Sequence, residues 1–80
     1  MSETDLLKKI VGNVCYILTS KPYSCSLKEL KECLKKRLPE VSDEKLKEGI
    51  LYMIFKEIIG DDGGGKYCLR RNVDLSEVGE

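Results

Sequence analysis

The sequence predicts an α+β fold in which three helices precede a C-terminal β-hairpin, with a short strand between the first two helices. Three observations predict it. Apolar residues recur at helical spacing in three separate segments. The stretch Ser26-Leu27-Lys28-Glu29 is a capping box, the signature of a helix start. The third apolar segment runs directly into GDDGGG and then the alternating stretch KYCLRR, which is typical of a hairpin with a glycine-rich loop.

The first helix is expected to start between Ser2 and Asp5 and to end near Lys21, because Pro22 disfavours helical angles at the residue before it. Its apolar face consists of Leu7, Ile10, Val11, Val14, Ile17 and Leu18. The following Tyr23-Ser24-Cys25 is too short to be stable alone, so we expect it to pair with the hairpin.

The second helix follows the capping box and ends at Pro39, with its apolar residues facing inward at Leu27, Leu30, Cys33, Leu34 and Leu38. A three-residue link, Pro39-Glu40-Val41, leads to Ser42, the predicted N-cap of the third helix. The inward positions of this helix are Leu46, Ile50, Met53 and Ile54, with either Phe55 or Ile58 as a further one. Gly49 lies mid-helix, where only close packing justifies its cost.

The hairpin is expected to begin at Ile58-Ile59 and to contain a long or bulged loop, since several of its residues tolerate positive φ. The residues after the hairpin are acidic, so we expect one domain over residues 1–72 and an acidic, flexible tail over residues 73–80.

Charge is the composition feature that bears most on function. The 80 residues carry 14 Lys and Arg and 14 Asp and Glu, so the net charge is zero. Residues 1–71 hold all the basic residues and eleven of the acidic ones, a small surplus for a protein that binds phosphates. No apolar run approaches the ~20 residues that span a bilayer, and the acidic start MSETD does not resemble a signal peptide. We expect an intracellular protein without membrane partners.

The sequence contains no pattern that predicts an enzyme, a metal site, a cofactor or a small-molecule substrate. Four cysteines lie at positions 15, 25, 33 and 68 without a CxxC pair, and histidine is absent. We expect reduced thiols that act as small apolar residues. The loop GDDGGGK lacks the Ser or Thr and the following helix of a phosphate-binding loop.

The order of elements resembles the winged helix-turn-helix superfamily over residues 4–71. The resemblance is carried by the capping box Ser26–Glu29, the turn Pro39–Val41 and the segment IIGDDGGGKYCL. The segment KPYSCSLKEL is also similar to the opening of LOTUS domains, a winged-helix branch that binds RNA or a helicase partner.

The resemblance implies a transcription-related protein that binds duplex DNA, with RNA left open. In such proteins the third helix enters the major groove and the wing contacts the backbone or minor groove. The implied nucleic-acid contacts are Lys45, Lys47 and Tyr52 on the third helix, Lys66, Arg70 and Arg71 around the wing, and Lys28, Lys31 and Lys35 on the second helix.

An alternative interpretation is a protein-interaction or dimerisation module. The third helix starts with Asp43-Glu44, which repels phosphates, and it contains no Arg, Asn or Gln to read bases. Residues 50–55 are six apolar residues in a row, more than a one-sided helix buries. We expect exposure among Leu51, Tyr52 and Phe55, which would then contact a protein partner or a second copy.

Overall fold

A computed structural model describes residues 3–21 and 23–78, except for the side chain of Glu3. It contains three helices and one small antiparallel sheet of three strands, so the predicted α+β class is confirmed. In chain order the elements are α1 (Glu3–Leu18), β1 (Ser24–Cys25), α2 (Leu27–Arg37), α3 (Asp43–Phe55), β2 (Ile59–Asp61), β3 (Tyr67–Leu69) and a 3₁₀ helix (Leu75–Glu77).

One hydrophobic core joins the helices to the sheet. The helix α1 contributes Ile10, Val11, Val14 and Leu18, all 3% exposed or less. Facing them are the buried side chains of Leu30, Leu34, Leu38, Val41, Leu46, Ile50, Met53, Ile58 and Ile59. The predicted inward faces of the helices are therefore largely confirmed.

The second helix starts where the capping box predicts. The amide of Glu29 donates to Ser26 Oγ at 3.2 Å, and the amide of Ser26 donates to Glu29 Oε1 at 3.2 Å. Leu27 is predicted to face inward, but it is 38% exposed because it is the first residue of α2. The N-cap of α3 is Ser42, whose Oγ accepts from the amide of Lys45 at 3.3 Å, as predicted.

The short strand β1 pairs with the hairpin, as expected. The sheet has the order β1-β3-β2, and both pairings are antiparallel. Cys25 lies opposite Tyr67, and Gly60 of β2 lies opposite Cys68 of β3. The strand between α1 and α2 thus fastens the hairpin to the helical body.

The chain reverses from α3 into β2 through a Schellman motif, the usual C-terminal helix cap. The amide of Ile58 donates to the carbonyl of Met53 at 2.9 Å, and the amide of Glu57 donates to the carbonyl of Ile54 at 3.1 Å. Glu57 has φ of 60°, the left-handed conformation that this cap requires. The reversal positions the hairpin beside the C-terminal end of α3.

The segment after Asn72 differs from the flexible tail expected from its composition. Residues 73–78 fold back onto the helices, and Val78 is 2% exposed within the core. Asp74 caps the 3₁₀ helix by accepting from the amide of Ser76 at 2.9 Å. The physical reason is that burial of Val73 and Val78 outweighs the acidic composition of the segment. Residues 79 and 80 lie outside the described residues.

Within the described parts of the chain, none of the helices has the length and apolarity that crossing a bilayer requires.

Candidate binding surface on the second and third helices

The outward face of α3 is half acidic and half apolar. Glu44, Glu48, Leu51 and Phe55 follow one another at spacings of four, three and four residues, so they share one face of the helix. All four are exposed, and Leu51 and Phe55 are 50% and 80% exposed. The expectation that the apolar run cannot be wholly buried is confirmed. We refer to these four residues as the α3 face.

The aromatic end of this surface carries a cation. Lys56 Nζ lies 5.9 Å from the centroid of the Phe55 ring and 6.0 Å from that of Tyr52. An ammonium group over a ring at this distance is attracted by the electron-rich face of the ring. Tyr52, unlike Leu51 and Phe55, is half-buried.

A mostly apolar groove runs beside the α3 face, between α3 and the start of α1. Its volume is about 240 Å³. It is lined by Leu6, Leu7, Ile10, Lys45, Glu48, Gly49 and Tyr52. Because Gly49 has no side chain, α1 approaches α3 closely at the floor of this groove. We call it the α1–α3 groove.

A second groove lies on the other side of α3, against α2. Its volume is about 410 Å³, and it is lined by Leu27, Lys28, Lys31, Lys47 and Ile50. Three of the lysines predicted to contact nucleic acid are therefore brought together from two helices, with an apolar floor between them. We call this the lysine groove.

Ion pairs within the chain engage several of the predicted cations, including Lys31 of the lysine groove. Lys31 and Lys35 of α2 both point to Asp43 in the first turn of α3, with Nζ-to-Oδ distances of 3.9 and 3.5 Å. Lys35 Nζ also donates to the carbonyl of Val41 at 2.8 Å. Lys45 Nζ lies 3.4 Å from Glu48 Oε2. The two pairs with Asp43 link α2 to α3, and all three pairs lower the charge available to phosphates.

The hairpin and the residues that follow it offer less basic charge than the resemblance implies. Arg71 Nη1 donates to Glu77 Oε1 at 2.8 Å, so the folded-back tail neutralises it. The side chain of Arg70 lies across Gly60, where a β-carbon would clash with it. The pKa of Glu29 is lowered mainly by its hydrogen bonds with Ser26. The positive charge of nearby Lys66 lowers it by a smaller amount, so Lys66 lies near a carboxylate of its own chain.

Two aspartates organise the tip of the hairpin. Asp61 Oδ1 accepts from the amide of Gly63, and Asp62 Oδ1 accepts from the amide of Gly64, both at 2.8 Å. Gly63 and Gly65 have φ of 94° and 81°, a conformation that favours glycine. The tip therefore presents two carboxylates to solvent, which disfavours contact with a phosphate backbone.

One polar cluster that joins α1 to α2 was not predicted from the sequence. The guanidinium of Arg37 stacks on the ring of Tyr16, 4.6 Å from its centroid. Arg37 Nε also donates to Asn13 Oδ1 at 2.6 Å. The basic run 35–37 is visible in the sequence, but its partners are more than 20 positions away. Nothing local to the run signals them.

The four cysteines are free thiols, with Cys25 buried and the other three half-buried. Burial raises the pKa of Cys15 and of Cys25, and nearby Cys33 and Glu29 raise that of Cys25 further. A raised pKa leaves these thiols protonated at neutral pH, which makes them poor nucleophiles.

A comparison of the chain with protein-family models finds no match, and searches of curated proteins and of solved structures find none either.

Proposed function

We propose that the chain is a non-enzymatic protein-interaction module of winged-helix type, and that its partner binds on the α3 face. The observation that carries this proposal is the exposure of Leu51 and Phe55 on consecutive turns of one helix. Large apolar side chains that are adjacent and exposed lose water favourably when a partner covers them. The apolar lining of the α1–α3 groove extends the same surface.

The winged-helix assignment is supported by the order of elements and by the sheet. A helix, a short strand, two helices joined by a short link and a hairpin follow one another, and the strand order is β1-β3-β2. Winged helices use their third helix as the principal contact surface. In this chain that helix presents Glu44 and Glu48 beside apolar side chains, a combination that suits a protein partner better than a phosphate backbone.

Photo-cross-linking tests the proposal in cells that express the full chain. A photo-reactive phenylalanine analogue at position 55 should cross-link to a protein, and Leu51→Asp in the same chain should abolish the product. The same analogue at Tyr23, which is 53% exposed in the loop before β1, is the matched control and should give no such product. A cross-link at position 55 that survives Leu51→Asp contradicts binding on the α3 face.

The lysine groove favours nucleic-acid binding as a second candidate function. Lys28, Lys31 and Lys47 converge there from α2 and α3, which is the arrangement that a phosphate backbone would need. In this proposal α2 and the edge of α3 contact phosphates, with Lys66 of the hairpin loop as a further cation. Duplex DNA is the expected ligand, and single-stranded RNA is the comparison.

A salt titration of binding to labelled duplex DNA and to single-stranded RNA tests this second candidate. Removing one cation that touches a phosphate should reduce the slope of log affinity against log salt by about one. Lys28→Ala and Lys47→Ala should each do so, whereas Lys9→Ala on the exposed side of α1 should not. Arg71→Ala should have less effect than Lys47→Ala, because Arg71 is paired with Glu77. Absence of binding at low salt would eliminate the nucleic-acid function.

A further inference from the structure

We propose that the partner of the α3 face is a second copy of this chain, with the two α3 helices packed antiparallel about a two-fold axis at Leu51. The inference rests on the proposed function of α3 as a protein-binding surface, and it names the partner. Both the shape of the surface and the distribution of charge along α3 support it.

The shape of the surface supports a second copy, because the same helix carries a protruding aromatic side chain and a groove that suits it. Phe55 is 80% exposed at the C-terminal end of α3, and the α1–α3 groove opens beside Glu48 nearer the N-terminal end. Residue 55 lies about 6 Å along the helix axis from Leu51, and residue 47 lies about 6 Å from it in the other direction.

A two-fold axis at Leu51 therefore places each Phe55 opposite residues 47 and 48 of the other copy. At that level the ring meets the mouth of the α1–α3 groove, whose lining of Leu6, Leu7 and Tyr52 is largely apolar. Each copy then inserts one ring and receives one. This reciprocity is what a two-fold interface between identical chains requires.

The charge distribution distinguishes antiparallel from parallel packing. The N-terminal half of the α3 face carries Glu44 and Glu48, while Lys56 lies at its C-terminal end. In the antiparallel arrangement Lys56 of one copy lies at the level between Glu44 and Glu48 of the other. A parallel pair would place each glutamate against its own counterpart, where like charges repel. The zero net charge of the chain removes the general repulsion between copies.

Sedimentation equilibrium of the full chain tests the stoichiometry. The expected mass is twice the 9.1 kDa of one chain. Leu51→Asp and Phe55→Asp should each yield a monomer, with an unchanged circular-dichroism spectrum showing that the fold is retained. Tyr23→Asp, which adds the same charge at another exposed aromatic residue, should remain a dimer. A monomeric wild-type chain would overturn the proposal.

Disulfide cross-linking tests the axis. Cysteines introduced by Leu51→Cys should meet across the two-fold axis and give a covalent dimer under mild oxidation. Those introduced by Glu44→Cys should not, because antiparallel packing separates them by about 21 Å along the helices, beyond the reach of a disulfide. The wild-type chain, oxidised in parallel, controls for its own cysteines. Efficient cross-linking of Glu44→Cys would show parallel packing and overturn the arrangement.

The same experiments separate failure of this inference from failure of the proposed function. A monomeric chain whose position 55 cross-links to a different protein overturns the second copy as partner and leaves the protein-binding function standing. A monomeric chain with no cross-link from position 55 overturns both. A dimer that persists in Phe55→Asp and Leu51→Asp would place the interface elsewhere and overturn the inference.

Discussion

Gly49 of α3 lies against Ile10 of α1 so closely that a β-carbon at position 49 would come within 2.5 Å of Ile10 Cγ2. Ile10 is 2% exposed, and its branched β-carbon restricts rotation about χ1, so Cγ2 does not turn aside easily. The mid-helix glycine is therefore explained by the approach of two helices, which is the close packing that the sequence predicts at this position.

Gly49→Ala is predicted to destabilise the fold, and Gly12→Ala to stabilise it. Overpacking against Ile10 should lower the free energy of unfolding by about 1 to 3 kcal/mol. Among the residues that the structure describes, a β-carbon at Gly12 would meet only Leu75 Cδ1, at an ordinary distance of 3.7 Å. There the better helix propensity of alanine should add about 0.5 to 1 kcal/mol. Urea denaturation of the two variants measures both changes, and equal effects would contradict the close approach of α1 to α3.

Glu57→Gly is predicted to stabilise the chain. Glu57 occupies the left-handed position of the cap that ends α3, with φ of 60°. A residue with a β-carbon is strained there by about 1 kcal/mol relative to glycine. Lys56→Gly is the matched control, because Lys56 has φ of −84° and gains nothing from glycine. A rise in the melting temperature of Glu57→Gly together with a fall in that of Lys56→Gly would confirm the cap. A lower melting temperature for Glu57→Gly would contradict it.

Ser26→Ala is predicted to lower the free energy of unfolding by about 1 kcal/mol, because the amide of Glu29 loses the hydroxyl that accepts from it. Ser24→Ala, two residues earlier in β1, is the control and should have a smaller effect. Chemical denaturation measures both. An unchanged denaturation midpoint for Ser26→Ala would mean that the capping box does not stabilise α2.

The capping box also predicts a pH dependence of stability. The backbone amide of Ser26, and after it the Ser26 hydroxyl, hold the pKa of Glu29 below its ordinary value. The unfolded chain therefore binds this proton more readily than the folded chain does. The contribution is complete above the ordinary pKa of a glutamate and is lost as the pH falls through the lower, folded value.

Glu29→Gln isolates that contribution, since glutamine also serves in a capping box but does not titrate there. Thermal melts of the wild type and of Glu29→Gln across the acidic range should show the wild type losing more stability as the pH falls. Asp74, whose pKa is lowered by the amide of Ser76, is present in both chains and cancels in the comparison. If the melting temperatures of the two chains fell by the same amount as the pH was lowered, a lowered pKa at Glu29 would be contradicted.

Val78→Ala is predicted to lower the free energy of unfolding by about 2 kcal/mol, from the loss of two buried methyl groups and the small cavity that remains. Val73→Ala, at a half-buried position, should have a smaller effect. Truncation after Asn72 should destabilise the chain more than either substitution. A truncated chain with the melting temperature of the full chain would show that residues 73–80 are a dispensable tail.

Local signals predicted the helices well because each signal is confined to a few residues. The hydrogen bond from the amide of Glu29 to Ser26 spans three positions, and so does the bond from the amide of Lys45 to Ser42 at the start of α3. The hairpin was predictable for a similar reason, since the glycine-rich loop permits the reversal whatever the rest of the chain does.

The sequence predicts less well which candidate site residues are exposed to solvent and which are engaged in ion pairs within the chain. The apolar run in the third helix predicts exposure without saying where, and the structure leaves Leu51 and Phe55 exposed while half-burying Tyr52. Position along a helix predicts which lysines face outward, but Lys31 and Lys35 meet Asp43 only because α2 packs across the start of α3.

The sequence by itself determined where helices begin, where the chain turns and which residues are too apolar to remain in water, because these properties depend on neighbours within a few positions. The tertiary structure alone decided which charges are paired, which groove the lysines share and that Val78 belongs to the core. Those outcomes depend on distances between residues far apart in the chain, and only the packing of the elements sets such distances.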